Sequence, residues 1–179
     1  MQCASYSEVA TLAVCRISGS TTLAVCKLFG STKLAVWTLF RSSMLAVWKD
    51  WGLDLILREA YKNGVVMSGV SAGAICWFEA GLTDSWASDL QMMKCMDFIP
   101  GNCAPHYDEE PERRPATKRF LENKSIDFMY GIEGGAALHF IDEIPNSTIQ
   151  FKKNKNAYKV TLDGDNIHES QYKSMDLKI

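Results

Sequence analysis

A serine set between small residues is the first feature with chemical consequence. Gly69-Val70-Ser71-Ala72-Gly73 fits the G-x-S-x-G pattern, and it falls between the β-prone run Val65-Val66-Met67-Ser68 and residues 72–80, which read as helix. A sharp strand-to-helix turn holds its central residue in a strained backbone conformation and pushes the side chain outward. Its neighbours two positions away must therefore lack bulk, and Gly69 and Gly73 do. The same turn puts Ser71 at a helix N-terminus, where the Ala72 N–H is placed to stabilise an oxyanion formed during acyl transfer. The chemistry this predicts is nucleophilic attack by Ser71.

A serine hydroxyl needs a base, and histidine is the side chain suited to that work near neutral pH. The chain has three: His106, His139 and His168. His106 lies in Gly101-Asn102-Cys103-Ala104-Pro105-His106-Tyr107, a turn-rich stretch after an apolar pair, Phe98-Ile99. Loops at the ends of sheet strands are where catalytic groups are held. His139 alternates within a strand-like run and His168 sits in a polar tail, so His106 is the expected base. The wide separation of the three, and six cysteines without a CxxC pair, give no zinc-ligand spacing. No metal and no other cofactor is expected.

These groups have to be positioned by a body of 179 residues, nearly half hydrophobic, which suffices for one substantial core. The formal net charge is −2 and the charges are scattered, which gives no surface built for nucleic acid or an anionic membrane. Arg16, Lys27, Lys33 and Arg41 interrupt the apolar N-terminal stretch well before the roughly 20 residues that a membrane-spanning helix requires. Free thiols and a cytoplasmic location are expected, with a possible homo-oligomer.

Two regions of different character divide the chain. In residues 1–50 the triplet Leu-Ala-Val recurs at Leu12, Leu23, Leu34 and Leu45, eleven residues apart, with Ser and Thr repeating beside it. An eleven-residue period suits helix, whereas Gly-Ser-Thr punctuation suits strands and turns, so both readings stand. The repeat is either a partner-binding module or a tandem duplication filling a structural slot, and the second is favoured because four short units barely build a core. Residues 51–179 alternate in the manner of an α/β domain. Leu53, Ile56, Leu57 and Ala60 give an amphipathic helix ended by Asn63-Gly64. Pro100-Gly101-Asn102 reads as a turn, and Pro111 opens a helix running to about Glu122. Residues 128–132, 136–141, 148–151 and 157–162 read as strands, the last two as a hairpin.

The elbow, LTDSW at residues 82–86, IPGNCAPHYDEEPERRP at 99–115 and GAALHFID at 135–142 together resemble the dipeptidase E and cyanophycinase family of serine peptidases over roughly residues 52–160. The resemblance implies a three-layer α/β/α sandwich like that of class I glutamine amidotransferases, with the N-terminal part truncated or replaced. It also implies hydrolysis of aspartyl bonds in small peptides through an acyl-enzyme, with Ser71 as nucleophile and His106 as base. An acid should orient the imidazole. Asp84 matches a family aspartate in the loop beyond the elbow helix. A second family acid lies at the turn matching residues 131–135, where the acidic position aligns with Gly134 and leaves Glu133 one residue away. Arg113 and Arg114 follow the histidine loop, and Arg114 is the better match to an arginine that holds a substrate carboxylate. The family's Gly-Gly-Asn loop, which completes the oxyanion hole, has no counterpart before Trp51. Either another segment donates the second N–H, or the chain is a catalytically degenerate homologue whose α/β body serves as a binding or structural module.

Overall fold

The computed structural model describes residues 10–14, 34–37, 43–85 and 87–176. The α/β class expected from the alternation is the one adopted, distributed over two six-stranded mixed sheets with helices. In chain order the elements are β1 (Ala10–Val14), β2 (Leu34–Trp37), α1 (Ser43–Asp50), α2 (Leu53–Lys62), β3 (Val66–Val70), α3 (Ala72–Ile75), β4 (Phe78–Thr83), β5 (Gln91–Lys94) and β6 (Ile99–Ala104). There follow α4 (Arg113–Glu122), β7 (Met129–Ile132), β8 (Ala136–Ile141), β9 (Ile144–Gln150), β10 (Ala157–Asp163), β11 (Asn166–Gln171) and β12 (Ser174–Asp176). One sheet runs β12-β9-β8-β1-β3-β2 and the other β11-β10-β7-β6-β4-β5.

The repeat divides between conformations. Leu12-Ala13-Val14 lies in β1 and Leu34-Ala35-Val36 in β2, both parallel to β3 and on either side of it, while Leu45-Ala46-Val47 lies in α1. The copy at Leu23 lies outside the described residues, as do Cys3, Cys15 and Cys26. The same triplet thus takes whichever form its neighbours allow: beside β3 an open row of backbone donors and acceptors favours a strand.

Helix α2 ends as its sequence requires. Gly64 adopts φ 76°, its N–H donates to Tyr61 O, and Val65 N–H donates to Ala60 O, which caps the last carbonyls. Its apolar stripe is only partly covered, however: Leu57 is buried, whereas Ile56 is 63% exposed. The helix expected over 72–80 stops at Ile75, and the chain continues past the buried Trp77 into β4, where Phe78 and Leu82 are buried. The expected turn at Pro100-Gly101-Asn102 lies inside β6. There the register against β4 slips between Phe78 and Ala80, and Gly101 at φ 94° absorbs the extra residue as a bulge. The expected hairpin of 148–151 with 157–162 does not form. Instead β9 pairs with β8 across Asp142 and Glu143, both at positive φ, and β10 pairs with β11 across Gly164.

Between the sheets lies an aromatic core. Phe140 of β8 meets Phe78 of β4 at 5.6 Å and Tyr130 of β7 at 5.5 Å between ring centroids, edge to face in both cases. Burying a ring of this size stabilises by about 1.5–3 kcal/mol, with a further contribution of about 1 kcal/mol from such pairing. The core therefore fixes the two sheets against each other, and with them the loops at their strand ends. Cys76, Cys95 and Cys103 are buried free thiols in or beside this core. Burial pushes the Cys95 thiol up to about 12, against the opposing pull of Lys49. Among the described residues no helix is long and apolar enough to cross a membrane.

Candidate active site

Ser71 follows β3 directly, with φ 56° and ψ −119°, a conformation that a non-glycine residue adopts only when its surroundings impose it. The imposition is visible. A Cβ on Gly69 would run into the carbonyl of Gly73, so the chain closes this tightly only with glycine at position 69. Helix α3 starts at once, and the Ser71 carbonyl accepts from the N–H groups of Ala74 at 2.9 Å and Ile75 at 3.1 Å. Ala72 is the first residue of α3, and its N–H belongs to the turn that helix geometry leaves without an internal acceptor.

His106 comes from the other sheet, two residues past the end of β6, also at positive φ (55°). Its neighbour Tyr107 donates its N–H to Ile132 O of β7 at 3.0 Å, and the His106 carbonyl accepts from the N–H groups of Glu109 and Glu110. The residue is 7% exposed. Its Nε2 lies 2.9 Å from Ser71 Oγ and its Nδ1 lies 3.0 Å from Glu109 Oε2. A carboxylate only accepts, so the proton sits on Nδ1 and the Nε2 lone pair faces the serine hydroxyl. That is the tautomer a general base requires.

The acids named from the sequence stand elsewhere. Asp84 is exposed in the loop after β4, on the wall of a surface cleft with Ser88, Asp89 and Arg119. Glu133, in the turn between β7 and β8, faces β10: it accepts from Asn156 N–H at 2.8 Å and from Tyr158 Oη at 3.4 Å. The carboxylate on His106 Nδ1 is that of Glu109, three residues along the same turn. A His-x-x-Glu spacing at the start of a helical turn was the available signal, since positions i and i+3 face the same way.

Arg114, expected to hold a substrate carboxylate, is engaged within the protein. Its guanidinium stacks over Tyr107 at 4.4 Å, pairs with Glu169, and lies 3.9 Å from Glu133, so its charge is already met by two carboxylates. Arg113 is buried, donates to Leu82 O and bridges to Glu110 at 2.8 Å, tying α4 to the end of β4. Beside the site, Asp108 accepts from Gly134 N–H at 2.7 Å and pairs with Lys155. Burial opposes the charge of Asp108, but the Lys155 and Gly134 hydrogen bonds outweigh it and hold the carboxyl below its ordinary range. His139 is buried on β8, paired in register with Leu12 of β1 and Ser147 of β9, and His168 Nδ1 meets Ser170 Oγ at 3.1 Å on β11. Among the described residues no group of three or more His, Cys, Asp or Glu is arranged to hold a metal ion.

Residues 41–147 match the model of peptidase family S51. The chain is also 50% identical over 114 residues to a Bacillus subtilis (strain 168) protein called uncharacterized peptidase YgaJ, a match that takes in 64% of this chain and 49% of that one. The chain thus spans about half the length of that curated relative.

Proposed function

The chain belongs to peptidase family S51, and from that premise we propose that it is a serine-type hydrolase that cleaves peptide bonds through an acyl-enzyme. The observation that carries this reading is the 2.9 Å contact between Ser71 Oγ and His106 Nε2, made by two turns from different sheets. In the proposed reaction Ser71 Oγ attacks the scissile carbonyl carbon while His106 Nε2 takes its proton. The proton then passes to the leaving amine as the C–N bond breaks. Water, deprotonated by the same imidazole, hydrolyses the ester and restores the serine. Ala72 N–H stands beside the nucleophile as an oxyanion donor. One such donor contributes a factor of about 10² to 10³ in turnover.

Aspartyl peptides are the substrate class that the resemblance supports, and small Asp-containing dipeptides are the first to assay. A fluorophosphonate probe should label the folded protein on Ser71, and Ser71→Ala should abolish labelling. Dipeptides with Asp should be cleaved faster than the same dipeptides with Asn. Well-folded protein that takes up no probe and cleaves no peptide would instead support a degenerate homologue acting as a binding or structural module.

A further inference from the structure

Building on the hydrolase reading above, we infer that Glu109 is the residue that positions His106 for Ser71, and that position 134 is glycine because the Glu109 carboxylate stands where a side chain there would go. Two observations meet at this point. Glu109 Oε2 lies 3.0 Å from His106 Nδ1. A Cβ built on Gly134 falls inside contact distance of three atoms of one group, Glu109 Cδ, Oε1 and Oε2.

The backbone at 134 does not itself call for glycine. Gly135 is at φ 91°, a conformation side chains rarely adopt, but Gly134 is not among the positive-φ residues. Its lack of a side chain is explained by the neighbour across the gap. Nor can the 133–135 turn move aside freely: Gly134 N–H is bonded to Asp108 Oδ1, Glu133 N–H donates to Asn156 O, and Ala136 N–H donates to Glu133 O. Asp108 and Glu109 therefore divide the work. The first fastens the turn to the histidine loop, and the second occupies the space that the turn leaves open and reaches the imidazole through it.

The arrangement predicts coupling between two positions 25 residues apart in sequence. Glu109→Gln keeps the shape but removes the carboxylate, and should slow fluorophosphonate labelling by about 10³- to 10⁴-fold, as loss of a triad acid does elsewhere. Gly134→Ala should slow it by at least tenfold in the otherwise native chain and by less than twofold when Glu109 is already Ala, because the displaced group is then absent. Glu109→Ala combined with Gly134→Asp should recover at least tenfold over Glu109→Ala alone, since the new carboxyl begins where the lost one ended.

A spectroscopic readout keeps this test separate from the hydrolase reading. The His106 Nδ1 proton, bonded to a carboxylate, should give a downfield, exchange-protected ring N–H resonance, assigned by its loss in His106→Gln. It should vanish in Glu109→Gln and in Gly134→Ala, with thermal unfolding showing that each variant is folded. If the native protein takes up no probe but the resonance behaves this way, the hydrolase reading falls and the positioning role stands. The inference is overturned if the resonance survives Glu109→Gln, or if Gly134→Ala leaves both resonance and labelling unchanged.

Discussion

Ser71 and His106 both sit at positive φ just past the C-terminal ends of strands in different sheets, yet the turns that carry them are built by opposite means. Around Ser71 the geometry is set by residues within two positions, through the absent side chain of Gly69 and the helix that starts at Ala72. Around His106 it is held from a distance: Ile132 O takes the Tyr107 N–H, Gly134 and Lys155 hold Asp108, and Arg113 ties the following helix to Leu82. A locally built turn gives its residue one fixed direction at little cost in sequence. A turn held by remote partners can be adjusted at several positions without changing the histidine.

If that contrast is right, the largest effect should come from the single close approach in the serine turn. Gly69→Ala forces a methyl group against the Gly73 backbone carbonyl, and should destabilise by about 3 kcal/mol and lower labelling of the remaining folded protein at least a hundredfold. Urea denaturation and fluorophosphonate labelling check this, and a variant that is both stable and fully labelled would show that the serine turn is not locally fixed.

The histidine turn should yield in smaller steps. Arg113→Met removes a buried donor to Leu82 O and the partner of Glu110. Glu110 is 42% exposed and can be rehydrated, so the cost should be about 2 kcal/mol rather than the larger value of a fully buried pair. Urea midpoints measure the stability loss, and labelling should fall less than tenfold, because Tyr107 and Asp108 still hold the loop.

The smallest effect concerns pH. The folded state holds Asp108 below its ordinary value of 3.8, so its contribution is complete above that pH and is lost as pH falls through the lower folded value. Asp108→Asn should therefore cost more stability at pH 7 than at pH 3, where part of that contribution has been lost. The difference should be about 1 kcal/mol or less, because Lys155 is one-third exposed. Equal costs at the two pH values would mean that the Gly134 hydrogen bond, which Asn can keep, matters more than the charge.

The same contrast explains what could be read in advance. The serine turn was legible because its requirements lie within five consecutive residues. So were the helix end at Asn63-Gly64 and the strand Ala136–Ile141, which depend on a left-handed cap and on short apolar periodicity. The acid beside His106 was sought at Asp84 and at residues 133–134 and stands at Glu109. Three successive acids, Asp108, Glu109 and Glu110, follow the histidine, and the i+3 spacing that favours Glu109 is rivalled by Glu110 at i+4. Arg114, matched in the sequence to an arginine that holds a substrate carboxylate, is met by Glu133 and Glu169, from elements that fold against it only in three dimensions.

The sequence by itself determined the α/β alternation and the strand-serine-helix turn, because steric limits on neighbouring residues act before any distant contact forms. Only the tertiary structure decided that Leu-Ala-Val is strand in two described copies and helix in a third, that β9 pairs with β8 rather than β10, and that Glu109 fills the space beside Gly134. Each of those outcomes depends on which backbone edge or which vacant volume lies alongside. That is a property of packing between segments remote in the chain, and no window of neighbouring residues contains it.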